Sequence, residues 1–365
     1  MIPPSRSSLA PSVSSGTDDT GFRSSHVPRP GAAPVAVRLV KTVIVGAGAI
    51  GGYIGAHLAR SGADVVLFAR GAHLQAMRAR GLRVSAAGGD FVVTPAVADD
   101  PVAIGPADLV LLAVKGPSVA SVAPMLAPLL RPDTIVVCIQ NGLPWWYFHG
   151  QRGRLGALGR ELTDPRGVVA SAVDPRQVLG AIVYFATEIV EPGVIRHSGG
   201  HRMFLGEPTG LRSARCRRAA DLFAAAGLPC TATTAIRREI WVKLLGNVAF
   251  NPLSVVTGAT VAAMVRHPDL SALVRAVMGE VRAVAWRLGI RPALSVDARI
   301  TRSSASGDHK TSMLQDFEAG RPLELETIAG AVVRLAGHLG VPMPATQAVY
   351  ACAKRLDECR ARSER

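Results

Sequence analysis

The sequence is poor in aromatic residues (5%), in charge (19%) and in cysteine (five in 365 residues). So little charge beside 48% hydrophobic residues argues against a disordered polymer and leaves ample material for a large core. The cysteines, Cys138, Cys216, Cys230, Cys352 and Cys359, are odd in number and widely spaced, with no CxxC pair. That argues against a disulfide framework or a structural zinc site; no metal is expected, and a reducing cytoplasm fits. Acids are scarcer than bases, 27 against 41, for a net charge of +14. Such a balance raises nucleic acid or a membrane surface as partners. Lysine is scarcer still. Only Lys41, Lys115, Lys243, Lys310 and Lys354 occur; the arginines are scattered, without a run of five and without aromatic interleaving. The expectation is therefore a dispersed surface charge, with neither nucleic acid nor membrane as partner, and each lysine is worth locating.

The length suits two domains. Residues 1–38 are rich in Ser, Pro, Gly and Arg, lack an apolar core, and read as a disordered extension rather than a secretory signal. Short β-branched runs at 39–45, 64–69, 108–114 and 134–139 alternate with helical stretches at 46–62, 71–80 and 117–130, and 82–97 reads as two short strands. That alternation predicts an α/β fold with a doubly wound parallel sheet, a Rossmann-like domain over 39–233. Residues 180–206 read as an antiparallel hairpin turning at Glu191-Pro192-Gly193, 213–226 as a helix and 230–235 as a last strand. An all-helical C-terminal domain follows over 234–362, with breaks expected at Pro252, Pro268, Pro292, Pro322 and Pro342. Residues 244–265 carry no charge and are long enough to cross a membrane. Asn247, Asn251 and Pro252 lie within them, so they read as a buried helix pair of a soluble protein.

Gly46-Ala47-Gly48-Ala49-Ile50-Gly51 matches GxGxxG. It follows a strand, opens a helix and precedes a second strand, the context in which the motif binds a dinucleotide. Gly46 permits the turn, Gly48 lets backbone approach a pyrophosphate, and Gly51 lets helix and strand pack closely. The second strand ends Phe68-Ala69-Arg70, with no acid to hold a ribose 2′-hydroxyl. An arginine there suits a 2′-phosphate, and Lys115 points to the same side of the sheet, so NADPH/NADP+ is expected rather than NAD(H). Surface arginine and lysine remain the plain alternative for each residue taken singly.

In the helical half, Lys243, Asn247 and Asn251 are spaced i, i+4, i+8 among apolar neighbours. They form a polar stripe on one helix face. A buried lysine has its pKa lowered toward the working range of a proton donor. A satisfied structural Lys–Asn network is the alternative. Ser312 is placed to cap the helix that follows, with Asp316 in its first turns. Glu324 lies among Leu323, Leu325 and Ile328, a candidate buried acid whose natural cation is Lys243.

These segments, GAGAIGGYIG (46–55), Arg70, VKG (114–116), QNG (140–142), WVKLLGNVAFNPLS (241–254), TSMLQD (311–316) and LELE (323–326), resemble the NADPH-dependent ketopantoate reductase (2-dehydropantoate 2-reductase) family over about residues 40–350. The resemblance implies hydride transfer from NADPH to the C2 ketone of a 2-oxo acid. It implies Lys243 as proton donor, Asn247 and Asn251 as substrate hydrogen-bonding groups and Ser312 as the holder of the substrate carboxylate. It further implies Glu324 beside the nicotinamide ribose and the lysine, Asn141 at the cofactor–substrate junction, and Arg70 and Lys115 at the 2′-phosphate. Three features depart from the pattern. Val261 or a neighbour stands where a further substrate-contacting Asn is common. The cluster Trp145-Trp146-Tyr147-Phe148 follows QNG, and 149–179 reads as an insertion. The aromatic cluster reads as core packing, with a larger substrate pocket as the alternative. The expected partner is a small 2-oxo acid, in a monomer or homodimer. The rivals are a reductase of a bulkier 2-oxo acid and a non-catalytic NADP-binding sensor.

Overall fold

The computed structural model describes residues 41–304 and 308–363. The expected extension over 1–38 lies outside the described residues. Ten strands join one mixed sheet: β1 (Thr42–Val45), β2 (Val65–Phe68), β3 (Leu82–Ala86), β4 (Phe91–Val93), β5 (Ala96–Ala98), β6 (Leu109–Leu112), β7 (Ile135–Cys138), β8 (Val178–Glu191), β9 (Val194–Gly206) and β10 (Cys230–Ala232). Their order is β4-β3-β9-β8-β7-β6-β1-β2-β5, with β10 paired to β9. From β5 to β8 every pairing is parallel. The β8–β9 hairpin is antiparallel, as its turn residues predict. Within 82–97 there are three short strands rather than two: β4 returns antiparallel to β3, while β5 crosses to the far edge beside β2.

The helices of the sheet half are α1 (Ala49–Arg60), α2 (Gly71–Arg80), α3 (Pro101–Ile104), α4 (Val119–Val122), α5 (Gly153–Thr163), α6 (Val168–Ala172) and α7 (Ala214–Ala225). The stretch 117–130, expected as one helix, is α4 between two 3-10 turns, because Pro117, Pro124 and Pro128 each remove a helical donor. The other half holds α8 (Ile236–Thr257), α9 (Val261–Arg266), α10 (Pro268–Arg287), α11 (Val296–Ser304), α12 (Ser312–Glu318), α13 (Ala331–Leu339) and α14 (Pro344–Ser363).

Central strands β1 and β6 are buried along their whole length, which is why they read as unbroken apolar runs. Successive side chains alternate between two cores. Ile44, Leu109 and Leu111 pack with α1 and α7, whereas Val43, Val45, Val110 and Leu112 share a core with α8 and α10. One face of the sheet thus merges with the helical half. Trp145, Trp146, Tyr147 and Phe148 lie in that shared core, and the Trp241 indole donates to the Tyr147 hydroxyl at 2.6 Å.

The uncharged stretch 244–265 is the expected helix pair, α8 and α9, but the break falls between Thr257 and Val261 and not at Pro252. Helix α8 runs through Pro252, which lies inside it, and ends at Gly258 in the left-handed conformation. The proline removes the N–H that would bond the Val248 carbonyl, but Phe250, Asn251, Pro252 and Leu253 are all buried and tertiary packing holds the helix on course. Pro268 and Pro344 open helices rather than only ending them, since the first helical position needs no donor. Helix α8 is long and apolar enough to cross a membrane, and most of it is buried inside the protein.

Candidate active site

The glycine turn follows β1, at the carboxyl ends of β1 and β6. Gly46 and Ala47 donate their N–H groups to the Phe68 carbonyl, which ties the turn to β2. Gly46 has φ +95°, and a Cβ there would stand 2.7 Å from Val114 Cγ1. A Cβ on Gly51 would meet the Gly46 carbonyl oxygen at 2.2 Å. Gly48 differs: nothing lies within 4 Å of where its Cβ would be. Gly48 is also the cap residue of α1 and brings no capping side chain. The first N–H groups of α1, from Ala49, Ile50 and Gly51, thus have no side-chain cap, and the space beside Gly48 is open, a cradle that fits a dinucleotide pyrophosphate.

Arg70 precedes α2 at the end of β2 and is exposed. Its guanidinium meets no partner among the described residues. Lys115, after β6, is ion-paired with Asp316 Oδ2 at 2.6 Å. Asp316 is buried in α12 and also accepts from Arg321 Nε at 2.9 Å. The pair reaches from the sheet half to the helical half, a contact the sequence did not indicate.

Glu324 is buried, as expected, but its direct partners are not. The carboxylate accepts from Gly116 N at 3.0 Å and from Asn141 Nδ2 at 2.9 Å, and no ion pair joins it to Lys243. The backbone explains the difference. Gly142 has φ +85°, and a Cβ there would lie 2.1 Å from the Thr327 carbonyl oxygen, to which Leu143 N donates at 3.1 Å. The QNG and VKG loops therefore dock on the turn just after Glu324, which continues as a π-helical turn over Glu326–Gly330. They supply the donors that the carboxylate meets in place of the lysine. Glu324 still acts on Lys243 through space.

Lys243 comes from α8 and donates from Nζ to the Val183 carbonyl of β8 at 2.9 Å. The same ammonium lies 5.9 Å from the centroid of the Tyr184 ring. Burial pushes the lysine down to about 8; Glu324 opposes that shift and Arg299 reinforces it. One and two turns further on, Asn247 is half-buried and Asn251 buried. Neither amide side chain meets a partner among the described residues, which removes the reading of a closed structural Lys–Asn network.

Ser312 does not cap α12. Thr311 does, accepting from Leu314 N at 3.1 Å. The Ser254 hydroxyl donates to the Asn251 carbonyl at 2.7 Å, so the 2.6 Å contact between Ser254 and Thr311 must be donated by Thr311. Ser312 is left at the first helical position, exposed, its hydroxyl unpartnered among the described residues. Val261 is buried at the start of α9 and offers no polar group. Sequence reasoning also missed Arg299, whose guanidinium rests on α8 at Gly246. A glycine inside a helix was the available signal; which side chain approaches it was not readable.

Two family models match the chain: ketopantoate reductase PanE/ApbA over residues 42–210 and ketopantoate reductase PanE/ApbA C terminal over 235–357. The chain is 44% identical to a 2-dehydropantoate 2-reductase of Mesorhizobium japonicum, over 87% of this chain and 98% of that one. It resembles the crystal structure of a PanE/ApbA family ketopantoate reductase from Ralstonia eutropha, with TM-score 0.75 and 32% identity, covering 88% and 99% of the two chains. It shares its fold with D-mandelate dehydrogenase, solved with NADH and anilino(oxo)acetate, at TM-score 0.75, 21% identity and coverage of 88% and 99%. Fold, site and relatives define a dinucleotide-binding oxidoreductase of the CH–OH/C=O class, acting on a small molecule. The chain belongs to the ketopantoate reductase family.

Proposed function

We propose that the protein reduces 2-dehydropantoate to pantoate with NADPH, as a step of pantothenate biosynthesis in the cytoplasm. The observation that carries the chemistry is Lys243: a buried ammonium brought to about 8, beside two amides whose side chains meet no partner among the described residues. A dinucleotide held by its pyrophosphate at the glycine turn would supply, when bound, the hydride for C2 of the oxo acid. The Lys243 ammonium gives its proton to the oxygen that becomes the alcohol. Val183 O fixes the Lys243 amine, and Glu324, fixed in turn by Asn141 and Gly116, lowers the cost of holding the ammonium charged before transfer. Asn247, Asn251 and Ser312 offer hydrogen bonds along the substrate. Gly46 to Gly51 would hold the pyrophosphate. Arg70 would hold the 2′-phosphate, with Lys115 beside it, since an ammonium paired to one carboxylate keeps two further donors. The free state of all five cysteines supports a reducing compartment.

Dependence on the nicotinamide form and on the oxo acid is read in one assay. NADPH and NADH oxidation are followed with 2-dehydropantoate, phenylglyoxylate and simple 2-oxo acids. NADPH with 2-dehydropantoate should give the highest kcat/KM, and Arg70→Ala should raise KM for NADPH by about 10-fold or more while barely moving that for NADH. A preference for phenylglyoxylate overturns the substrate, and an equal Arg70 effect on both nucleotides overturns the 2′-phosphate contact.

A further inference from the structure

Arg299 belongs to none of the motifs that carry the family resemblance. It sits in α11, and a Cβ built on Gly246 of α8 would stand 2.2 Å from Arg299 Nη2 and 2.7 Å from its Cζ. Gly246 follows Lys243 by three residues, so the guanidinium lies one helical turn from the lysine, on a neighbouring face. Nη1 donates to Ser303 Oγ at 2.6 Å. Nε is enclosed and has no hydrogen-bond partner among the described residues. Among the described residues, no ion pair joins Arg299 to a carboxylate. The charged or titratable groups around it are Lys243, Arg302 and the Tyr184 phenol. A largely buried guanidinium with an unpaired Nε and cations for neighbours is costly without an anion. The helix also accepts a glycine to admit it, itself unfavourable in a helix interior.

We infer that Arg299 binds the carboxylate of the substrate. The inference rests on the 2-oxo acid reading above and departs from the assignment of the carboxylate to Ser312. In a 2-oxo acid, C1 is one bond from C2, whose oxygen must reach Lys243. The carboxylate therefore lies close to the lysine. Arg299 packs one turn away. Asn251 lies eight residues on, roughly 12 Å along the axis. Ser312 is tethered at that far end, through the Thr311–Ser254–Asn251 chain. The cations at that end already have carboxylates: Lys115 and Arg321 share Asp316, and Lys310 pairs with Glu318. The planar fork of Arg299 meets two carboxylate oxygens at once, while the amides and Ser312 take the distal polar end of the substrate.

The test is calorimetric binding of oxamate, an unreactive analogue with the same carboxylate, and of its neutral counterpart oxamide, to the NADP+-loaded full chain. Wild type should bind oxamate. Arg299→Leu should weaken oxamate by about 30-fold or more and oxamide by less than about threefold, with Arg299→Lys in between. KM for 2-oxo acids should rise in parallel while KM for NADPH stays put. Equal losses for oxamate and oxamide, unchanged oxamate affinity in Arg299→Leu, or an acid-selective loss in Ser312→Ala instead would each overturn the inference, as would a wild type that binds no oxamate. A wild type that binds oxamate through Arg299 yet reduces no 2-oxo acid would remove the reductase reading and leave the carboxylate site standing. Circular dichroism and NADP+ affinity report the fold, and Arg299→Lys with Arg299→Gln carry the comparison if Arg299→Leu does not fold.

Discussion

Lys243 concentrates three opposing influences on one amine. Burial lowers its pKa most, Glu324 raises it, and Arg299 lowers it again, leaving it at about 8. Tyr184 faces it with a ring and Val183 with a carbonyl. In the proposed role of proton donor Lys243 must carry its proton, so kcat/KM for reduction should hold at neutral pH and fall as pH rises through about 8. Lys243→Ala should lose roughly 10²–10⁴ in kcat/KM and abolish that limb, with cofactor affinity unchanged. A limb that survives in Lys243→Ala assigns the titration to another group. The lysine and its two amides were readable because helical periodicity puts i, i+4 and i+8 on one face. Arg299 was not, because it reaches that face from another helix.

Elements followed local rules except where packing overrode them. A proline in a helix interior costs about 3 kcal/mol, so a break at Pro252 was the local expectation. Burial on all sides carries α8 through it, and that keeps Lys243, Asn247, Asn251 and Ser254 on one rigid rod. The N-terminus of α12 turns on a choice between neighbouring hydroxyls. Thr311 takes the cap because it also reaches Ser254, which leaves Ser312 free for a ligand. Thr311→Val should cost about 1–2 kcal/mol in denaturant unfolding, whereas Ser312→Ala should stay within about 0.5 kcal/mol. Equal costs would mean that the two hydroxyls share the cap.

For the whole molecule, the junction of the two halves decides whether a site exists. Gly142 and Gly116 let the loops after β7 and β6 seat against Thr327, and that seating delivers Asn141 and the Gly116 amide to Glu324. Gly142→Ala combines a left-handed backbone with a Cβ 2.1 Å from a carbonyl oxygen. It should destabilise by about 2 kcal/mol or more and lower kcat together with stability. Full stability in Gly142→Ala would show the junction to be slack.

The central parallel strands, the β8–β9 hairpin, the glycine turn and the lysine–amide stripe follow from short-range periodicity and turn chemistry. One sequence is enough to fix those. Partners are another matter. Glu324 binds Asn141 and Gly116 rather than Lys243, Lys115 binds Asp316, and Arg299 lies on Gly246. Each of these joins segments far apart in the chain. Only the docking of the helical half onto the sheet chooses among the charges that could have met.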